Sequence, residues 1–265
     1  MTPGDIGVGD TAGRIDVSTP SAARIYDYFL GGAHNFEVDR LAAAELARLH
    51  PAIGLGMRAN RSYLRRVVRY LLDAGVDQFL DLGSGIPTVG NVHQIAHRVN
   101  PEARVVYVDI EPMAIAHSDT LLAENKWAAA VCADLRRPDE VLATAEVRGQ
   151  LDFDRPIAVI LAGVLQYLSD DEDPAGVIAG YRDRLVPGSY LAMSHPSADP
   201  LTAQRLRGRC TPRTKQRFAA FFAGLDIIAP GIVPMWHWRP EEGDPEPLGD
   251  GHVAGHAGVG RTTAT

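Results

Sequence analysis

The chain has 265 residues, of which 46% are hydrophobic and 22% charged, and its formal net charge is −7. These values fit a soluble α/β domain with additions and argue against a general nucleic-acid binder, because holding a polyanion needs a basic field. Cys132 and Cys210 lie too far apart for a metal or redox motif, and no apolar run is long enough to span a bilayer. The opening MTPGDIGVGDTAGRID lacks the basic start and apolar core of a secretion signal. The expectation is a cytoplasmic protein with neither nucleic acid nor membrane as partner.

Residues 1–19 are rich in Gly, Asp and Thr without periodicity, which predicts a disordered tail ahead of a single domain over 20–265. Residues 20–60 read as an N-terminal helical arm. Leu64, Val67, Val68, Leu71 and Leu72 then fall on one helical face, with Asn60 as the expected cap and Gly75 as the stop. Strand Gln78–Leu82 follows, and Val92, Ile95, Ala96 and Val99 mark a second amphipathic helix ended before Pro101. Next come strand Arg104–Val108, a helix opened by Pro112, strand Ala129–Ala133 and a short helix opened by Pro138.

Pro156–Ala162 is the most continuous apolar run, as a central parallel strand buried on both faces requires. Asp173 and Pro174 read as cap and first residue of a helix carrying Val177, Ile178, Tyr181 and Leu185. Strand Ser189–Ser194, helices around Ala198–Arg207 and Thr214–Ala223, and strand-like Leu225–Met235 and Val253–Gly260 complete the order, with 240–251 a flexible acidic loop. Strands alternating with helices predict an α/β, doubly wound, mainly parallel sheet, its closing pair an antiparallel edge.

Two stretches carry the chemistry: QFLDLGSGIP, Gln78–Pro87, and RVVYVDIEPM, Arg104–Met113. An apolar run, a glycine turn, a helix and a second apolar run ending in an acid describe a nucleotide-type βαβ unit. A dinucleotide loop would continue to a third glycine and leave room for a pyrophosphate. Here Thr88 follows Pro87, and Asp81 would repel a pyrophosphate. S-adenosylmethionine has no phosphate and carries an ammonium and a sulfonium, so an acid beside the loop becomes useful. Gly83 and Gly85 let backbone approach such a ligand. Asp81 is placed for its amino group, Asp109 for both ribose hydroxyls, Ile110 for an adenine face, Asp134 for the adenine amino group and Leu135 for backbone and apolar contact. Any one acid fits a helix cap equally well; three at successive strand ends form the more specific pattern.

Pro20–Asp39 is dense in contact-making residues. Arg24 offers a guanidinium fork for a carboxylate, and Tyr26, Tyr28 and Phe29 offer faces for a sulfonium. Gly31 and Gly32 permit a sharp turn, and Asn35 is a compact donor and acceptor. The competing reading is a helix packed on the core with a solvated arginine. Past the fourth strand stand Gly163, Leu165, Gln166 and Tyr167, and past the fifth Ser194 and His195, on the edge where ligands bind in such sheets. His195 is the candidate general base, against a turn role before Pro196. No metal is expected: His93 and His97 sit one helical turn apart without a third ligand, and Asp170–Asp173 reads as helix capping. Trp236 and Trp238 wall a pocket or close the core, and the basic run from Arg205 to Arg217 reads as a solvated helix face.

The chain resembles the small class I S-adenosylmethionine-dependent methyltransferases abundant in actinobacteria, long catalogued as a domain of unknown function. The matching stretches include PSAARIYDYFLGGAHNFEVDR, FLDLGSGIPTVGNVHQIAHRVNPEARVVYVDIEPMAIAH, ADLRRPDEVL, PIAVILAGVLQYLSDDEDP, YLAMSHPSADP and FFAGLDIIAPGIVPMWHWRP. The resemblance implies a seven-stranded Rossmann-like sheet and an arm folded over the cofactor with Arg24, Tyr28, Gly32 and Asn35 at the site; Gly163, after the fourth strand, is a further cofactor-binding candidate. Two departures stand out: Ile110-Glu111 where relatives show Asn-Asp, and Gln166 where they commonly carry His. The expected activity is methyl transfer from S-adenosylmethionine to oxygen or nitrogen of a small molecule. The alternatives are a non-catalytic regulator binding the same cofactor and an NAD-dependent oxidoreductase.

Overall fold

The computed structural model describes residues 16–87, 90–198, 210–244 and 255–264. Its strands are β1 (Gln78–Leu82), β2 (Arg104–Asp109), β3 (Ala128–Cys132), β4 (Ala158–Ala162), β5 (Tyr190–Pro196), β6 (Asp226–Ile227), β7 (Val233–Pro234) and β8 (Gly255–Arg261). They form one sheet in the order β3-β2-β1-β4-β5-β8-β6, with β7 also paired to β8. Pairs among β1 to β5 are parallel, and β8 runs antiparallel to β5, β6 and β7. The chain therefore leaves β1 toward β2 on one side and returns to β4 on the other. The carboxyl ends of β1, β2 and β4 open a crevice at that reversal.

The described sheet has eight strands rather than the expected seven, because the run 225–235 is split. Pro230 has no N–H to give a ladder, and Gly231 adopts φ +93°. Two short strands therefore pair with β8 where one longer strand was expected.

Strand residues alternate cleanly between two cores. Phe79, Val105, Ile160 and Ala192 face α3 (Ile53–Asp73) and α4 (Val92–Ala96). Leu80, Val106, Val159 and Leu191 face α6 (Pro138–Ala143), α7 (Ala145–Gln150) and α8 (Pro174–Arg182). The long α3 is tied across the sheet by Tyr63, whose hydroxyl donates to the carbonyls of Met193 at 3.1 Å and Gly258 at 2.7 Å. It starts seven residues before Asn60, so Asn60 is an interior residue and not the expected cap. Gly75, at φ +85°, stands just past its end as expected. α4 is shorter than its apolar spacing predicts: it ends at Ala96, and Val99 lies exposed beyond it.

Pro112 opens α5 (Pro112–Leu122), Pro138 opens α6, and Asp173 caps α8 by accepting from the Gly176 N–H at 3.0 Å. Thr214 caps α9 (Lys215–Ala219), accepting from the Arg217 N–H at 3.2 Å. The helix expected around Ala198–Arg207 and most of the tail and acidic loop lie outside the described residues. Trp238 is buried in the core against Tyr63 and Tyr70, and Trp236 is also buried. No described helix is long and apolar enough to cross a membrane.

The arm consists of α1 (Ala22–Phe29) and α2 (Glu37–Leu49). Asp39 knots them together: its carboxylate accepts from the Ser21 N–H, the Phe36 N–H and Arg24 Nε at 2.8–3.0 Å. These donors hold the carboxyl below its ordinary value although burial opposes them.

Candidate active site

Two adjoining cavities lie at the carboxyl ends of the strands. The first, of about 510 Å³, is lined from β1 by Asp81, Gly83, Ser84 and Gly85, and from β2 by Asp109, Ile110 and Glu111. Asp134, Leu135 and Arg136 follow β3, Gly163 and Val164 follow β4, and α1 and α3 contribute Arg24, Asn60 and Arg61.

The glycine loop and Asp109 form one hydrogen-bonded unit. The Gly83 and Ser84 N–H groups donate to the Val108 carbonyl at 2.8 and 3.1 Å. Asp109 Oδ2 accepts from the Gly85 N–H at 2.7 Å, and Oδ1 from the Glu111 N–H at 2.9 Å. Gly83 has φ +70°, and a Cβ there would collide with Val164, so backbone conformation and space both require glycine. Burial raises the pKa of Asp109, against the pull of its backbone donors. Burial also pushes Asp81 up to about 7; Arg61 opposes the shift and Asp109 adds to it. Ser84 Oγ is buried without a partner among the described residues, an unused hydroxyl in the loop.

The second cavity, of about 400 Å³, is lined by Ile25, Leu46, His50, Ile53, Met57, Gln166, His195 and Met235 among others. Tyr26, Asn60, Gly163 and Tyr167 line both cavities. Asn60 is the hub of this shared wall. Its Nδ2 donates to the Tyr26 hydroxyl at 3.1 Å and the Ala162 carbonyl at 3.3 Å, and its Oδ1 accepts from Ser194 Oγ at 2.5 Å. A Cβ on Gly163 would come within 2.9 Å of that amide nitrogen. Tyr167 is 48% exposed, and its phenol is pushed up to about 12 chiefly by the surrounding protein. It is therefore a neutral hydroxyl at ordinary pH.

The residues expected at the site do not all meet there. Asp81, Gly83, Gly85, Asp109, Ile110, Asp134, Leu135, Gly163 and Arg24 line the first cavity. Tyr28, Gly32 and Asn35 line neither cavity. Tyr28 is partly exposed and meets Phe29 edge-on. Gly32 and Asn35 shape the turn between α1 and α2 around buried Asp27: Asn35 Nδ2 donates to Asp27 at 2.9 Å, and a Cβ on Gly32 would strike that carboxylate. Their constraint is folding of the arm.

Two further expectations are altered by bonding. Arg24 donates from Nε to Asp39 at 2.8 Å, from Nη1 to Glu111 at 3.4 Å and from Nη2 to the Thr19 carbonyl at 2.5 Å. Its fork is engaged by the protein as a clamp between the arm and the β2 loop. His195 Nδ1 lies 2.9 Å from the Pro196 carbonyl, and Nε2 lies 3.0 Å from Arg213 Nη1. A carbonyl accepts and a guanidinium donates, so Nδ1 carries the proton and Nε2 is already an acceptor. Burial pushes the imidazole down to about 4. Neither ring nitrogen is left to take a proton from a substrate.

Asp134 is likewise drawn to Arg136, whose guanidinium donates to it at 2.7–2.9 Å and holds its pKa down. His93 donates from its backbone N–H to the Tyr107 hydroxyl at 2.8 Å, and its Nδ1 lies 2.7 Å from that oxygen. His97 Nε2 lies 2.9 Å from the Ala103 carbonyl, and the described residues include no group of metal-ligating side chains. Asp170 pairs with Arg213 and Arg217.

Sequence reasoning did not single out Arg61, His50 or Ser84, and gave Asn60 a different role. Ser84 had a signal, since it sits inside the glycine loop. The others stand at the end of α2 (His50) or within α3 (Asn60, Arg61), and only the tertiary fold brings them to the site.

The profile of a family described as S-adenosyl methyltransferase matches residues 9–263. A crystal structure of a methyltransferase candidate from Thermobifida fusca is 43% identical, with TM-score 0.89 over 94% of this chain and 97% of that one. A DUF574 family protein from Streptomyces avermitilis is 36% identical, with TM-score 0.90 over 94% and 100%. Magnesium protoporphyrin IX methyltransferase from Synechocystis, solved with S-adenosylhomocysteine, shares the fold at 14% identity and TM-score 0.53 over 90% and 93%. None of the curated proteins compared matches the chain. These matches favour a transferase over the oxidoreductase and the regulator. With the profile spanning nearly the whole chain, the protein belongs to this family and is an S-adenosylmethionine-dependent methyltransferase.

Proposed function

We propose that the first cavity holds S-adenosylmethionine and that the second receives a small-molecule acceptor, methylated on oxygen or nitrogen. The observation that carries this reading is the wall common to both cavities, formed by Tyr26, Asn60, Gly163 and Tyr167. Methyl transfer needs donor and acceptor in line at one opening, with water kept out.

The first cavity fits the donor. Ser84 Oγ is an orphaned hydroxyl there, the glycine loop leaves open space at Gly85, and Asp109 has lone pairs beyond its two backbone donors. Asp109 is assigned to the ribose hydroxyls, Asp81 to the amino group, Ile110 to an adenine face, and Leu135 and Asp134 to the adenine edge. Arg61, which lines the cavity and acts electrostatically on Asp81, is assigned to the carboxylate. The bound donor supplies a methyl group already activated by its sulfonium. The protein's residues align the partners, and Tyr167 offers its hydroxyl to the acceptor heteroatom at the shared wall.

The test uses methyl-labelled S-adenosylmethionine incubated with the enzyme and a small-molecule extract. Label is expected in molecules below protein size, and Met57→Trp, which fills the second cavity, is expected to stop it while S-adenosylhomocysteine still binds. Undiminished transfer by Met57→Trp would place the acceptor elsewhere.

A further inference from the structure

The second cavity differs from the first in one respect that bears on substrate class. Among the described residues, none that lines it carries a carboxylate, ammonium or guanidinium group. The wall is built mainly of Pro20, Ile25, Leu46, Ile53, Met57 and Met235, with small residues between them. Most of its polar side chains are turned to the protein's own needs, and Gln166 Oε1 is buried without a partner among the described residues. The Tyr26 hydroxyl donates to the Met57 carbonyl at 3.1 Å, and Asn60 and Ser194 bond each other. Gln166 Nε2 donates to the Gly163 carbonyl at 2.5 Å, and His195 is held neutral between Pro196 and Arg213.

From this lining we infer that the acceptor is an uncharged, predominantly apolar molecule, such as a neutral aromatic alcohol or amine, oriented at its reactive end by Tyr167. The inference rests on the second cavity being the acceptor site. An anion in this cavity would leave water without a cationic partner among the described residues, and that loss is costly in an apolar setting. It would also approach a first cavity whose lining carboxylates, Asp81, Asp109, Glu111 and Asp134 among them, outnumber its arginines. A cationic acceptor would find no carboxylate among the described residues of the second cavity and would meet the like charge of the donor sulfonium.

A neutral acceptor keeps the charge balance simple. The heteroatom lone pair forms the new bond to the methyl carbon as the carbon–sulfur bond breaks, and that bonding pair goes to sulfur. The positive charge passes to the methylated heteroatom, which then releases its proton to water.

The test measures binding of three probes of one shape to the protein saturated with S-adenosylhomocysteine: 1-naphthol, 1-naphthoate and 1-naphthylmethylammonium. The neutral probe is expected to bind roughly tenfold or more tighter than either ion, with binding abolished in Met57→Trp. Met57→Lys, which places one cation in the wall, is expected to tighten naphthoate by roughly tenfold while leaving S-adenosylhomocysteine affinity unchanged. An ion bound as tightly as naphthol, yet lost in Met57→Trp, would overturn the substrate class and leave the site standing. Binding of all probes unaffected by Met57→Trp, or no binding of any probe, would overturn the site and the class together.

Discussion

The two cavities share a wall and are built on opposite principles. The first is crowded with charge, with acids at the ends of β1, β2 and β3 and at Asp16 ahead of the arm, and arginines from α1, α3 and the β3 loop. The second has, among the described residues, no formally charged lining outside its histidines and is shaped by aliphatic side chains from the arm and the start of α3. A charged, multiply hydrogen-bonding donor is recognised by fixed polar partners at known places on the fold. A neutral acceptor is recognised by shape and by the cost of putting the wrong charge there. Substitutions in the first cavity are therefore expected to change donor affinity steeply. Those in the second should change acceptor choice and turnover.

The largest effect should come from Asp109→Ala. It removes the ribose partner and strands the Gly85 and Glu111 N–H groups. A loss of about 3 kcal/mol, roughly a hundredfold in S-adenosylhomocysteine affinity, is expected by calorimetric titration. Next comes a pH effect at Asp81, whose carboxyl burial holds up near 7. The ionised form attracts the cationic donor, so below that pKa binding must first expel a proton and affinity falls. Titrations should show donor affinity dropping roughly tenfold from pH 8 to pH 6, with the slope flattened in Asp81→Asn.

On the acceptor side the effects shrink and move to turnover. Tyr167→Phe removes one hydrogen bond of about 1 kcal/mol, so kcat should fall roughly fivefold with donor affinity unaltered. Smallest of all is Tyr28→Ala. Its ring lines neither cavity, and donor affinity should stay within roughly twofold of the native value. A large loss there would erase the distinction between site residues and arm-folding residues.

The difference between the cavities also explains what was legible in the sequence. The sheet and the first cavity follow from local pattern. β1 stands at its expected residues, the helices opened by Pro112 and Pro138 start where those prolines fall, and Asp81, Asp109 and Asp134 mark strand ends by their place after apolar runs. The second cavity is assembled from residues distant in the chain, such as Leu46, Met57, Gln166 and Met235, which are unremarkable in sequence. Asn60 shows the difficulty. A polar residue before an apolar helical face reads as a cap, and only the extension of α3 back to Ile53 places it inside a helix over β4. Gly32 and Asn35 show the converse, since a Gly-Asn turn beside a site looks like ligand contact until buried Asp27 claims both. His195 had the right position and a suitable chemistry, and Arg213, distant in sequence, takes its free nitrogen.

The most direct test of the two-cavity account is a crystal structure of the complex with S-adenosylhomocysteine. Adenosine is expected against Asp109 and Ile110, with the sulfur facing the opening bounded by Tyr26, Asn60, Gly163 and Tyr167. Adenosine seated among Leu46, Ile53 and Met57, or a sulfur directed away from that opening, would contradict it.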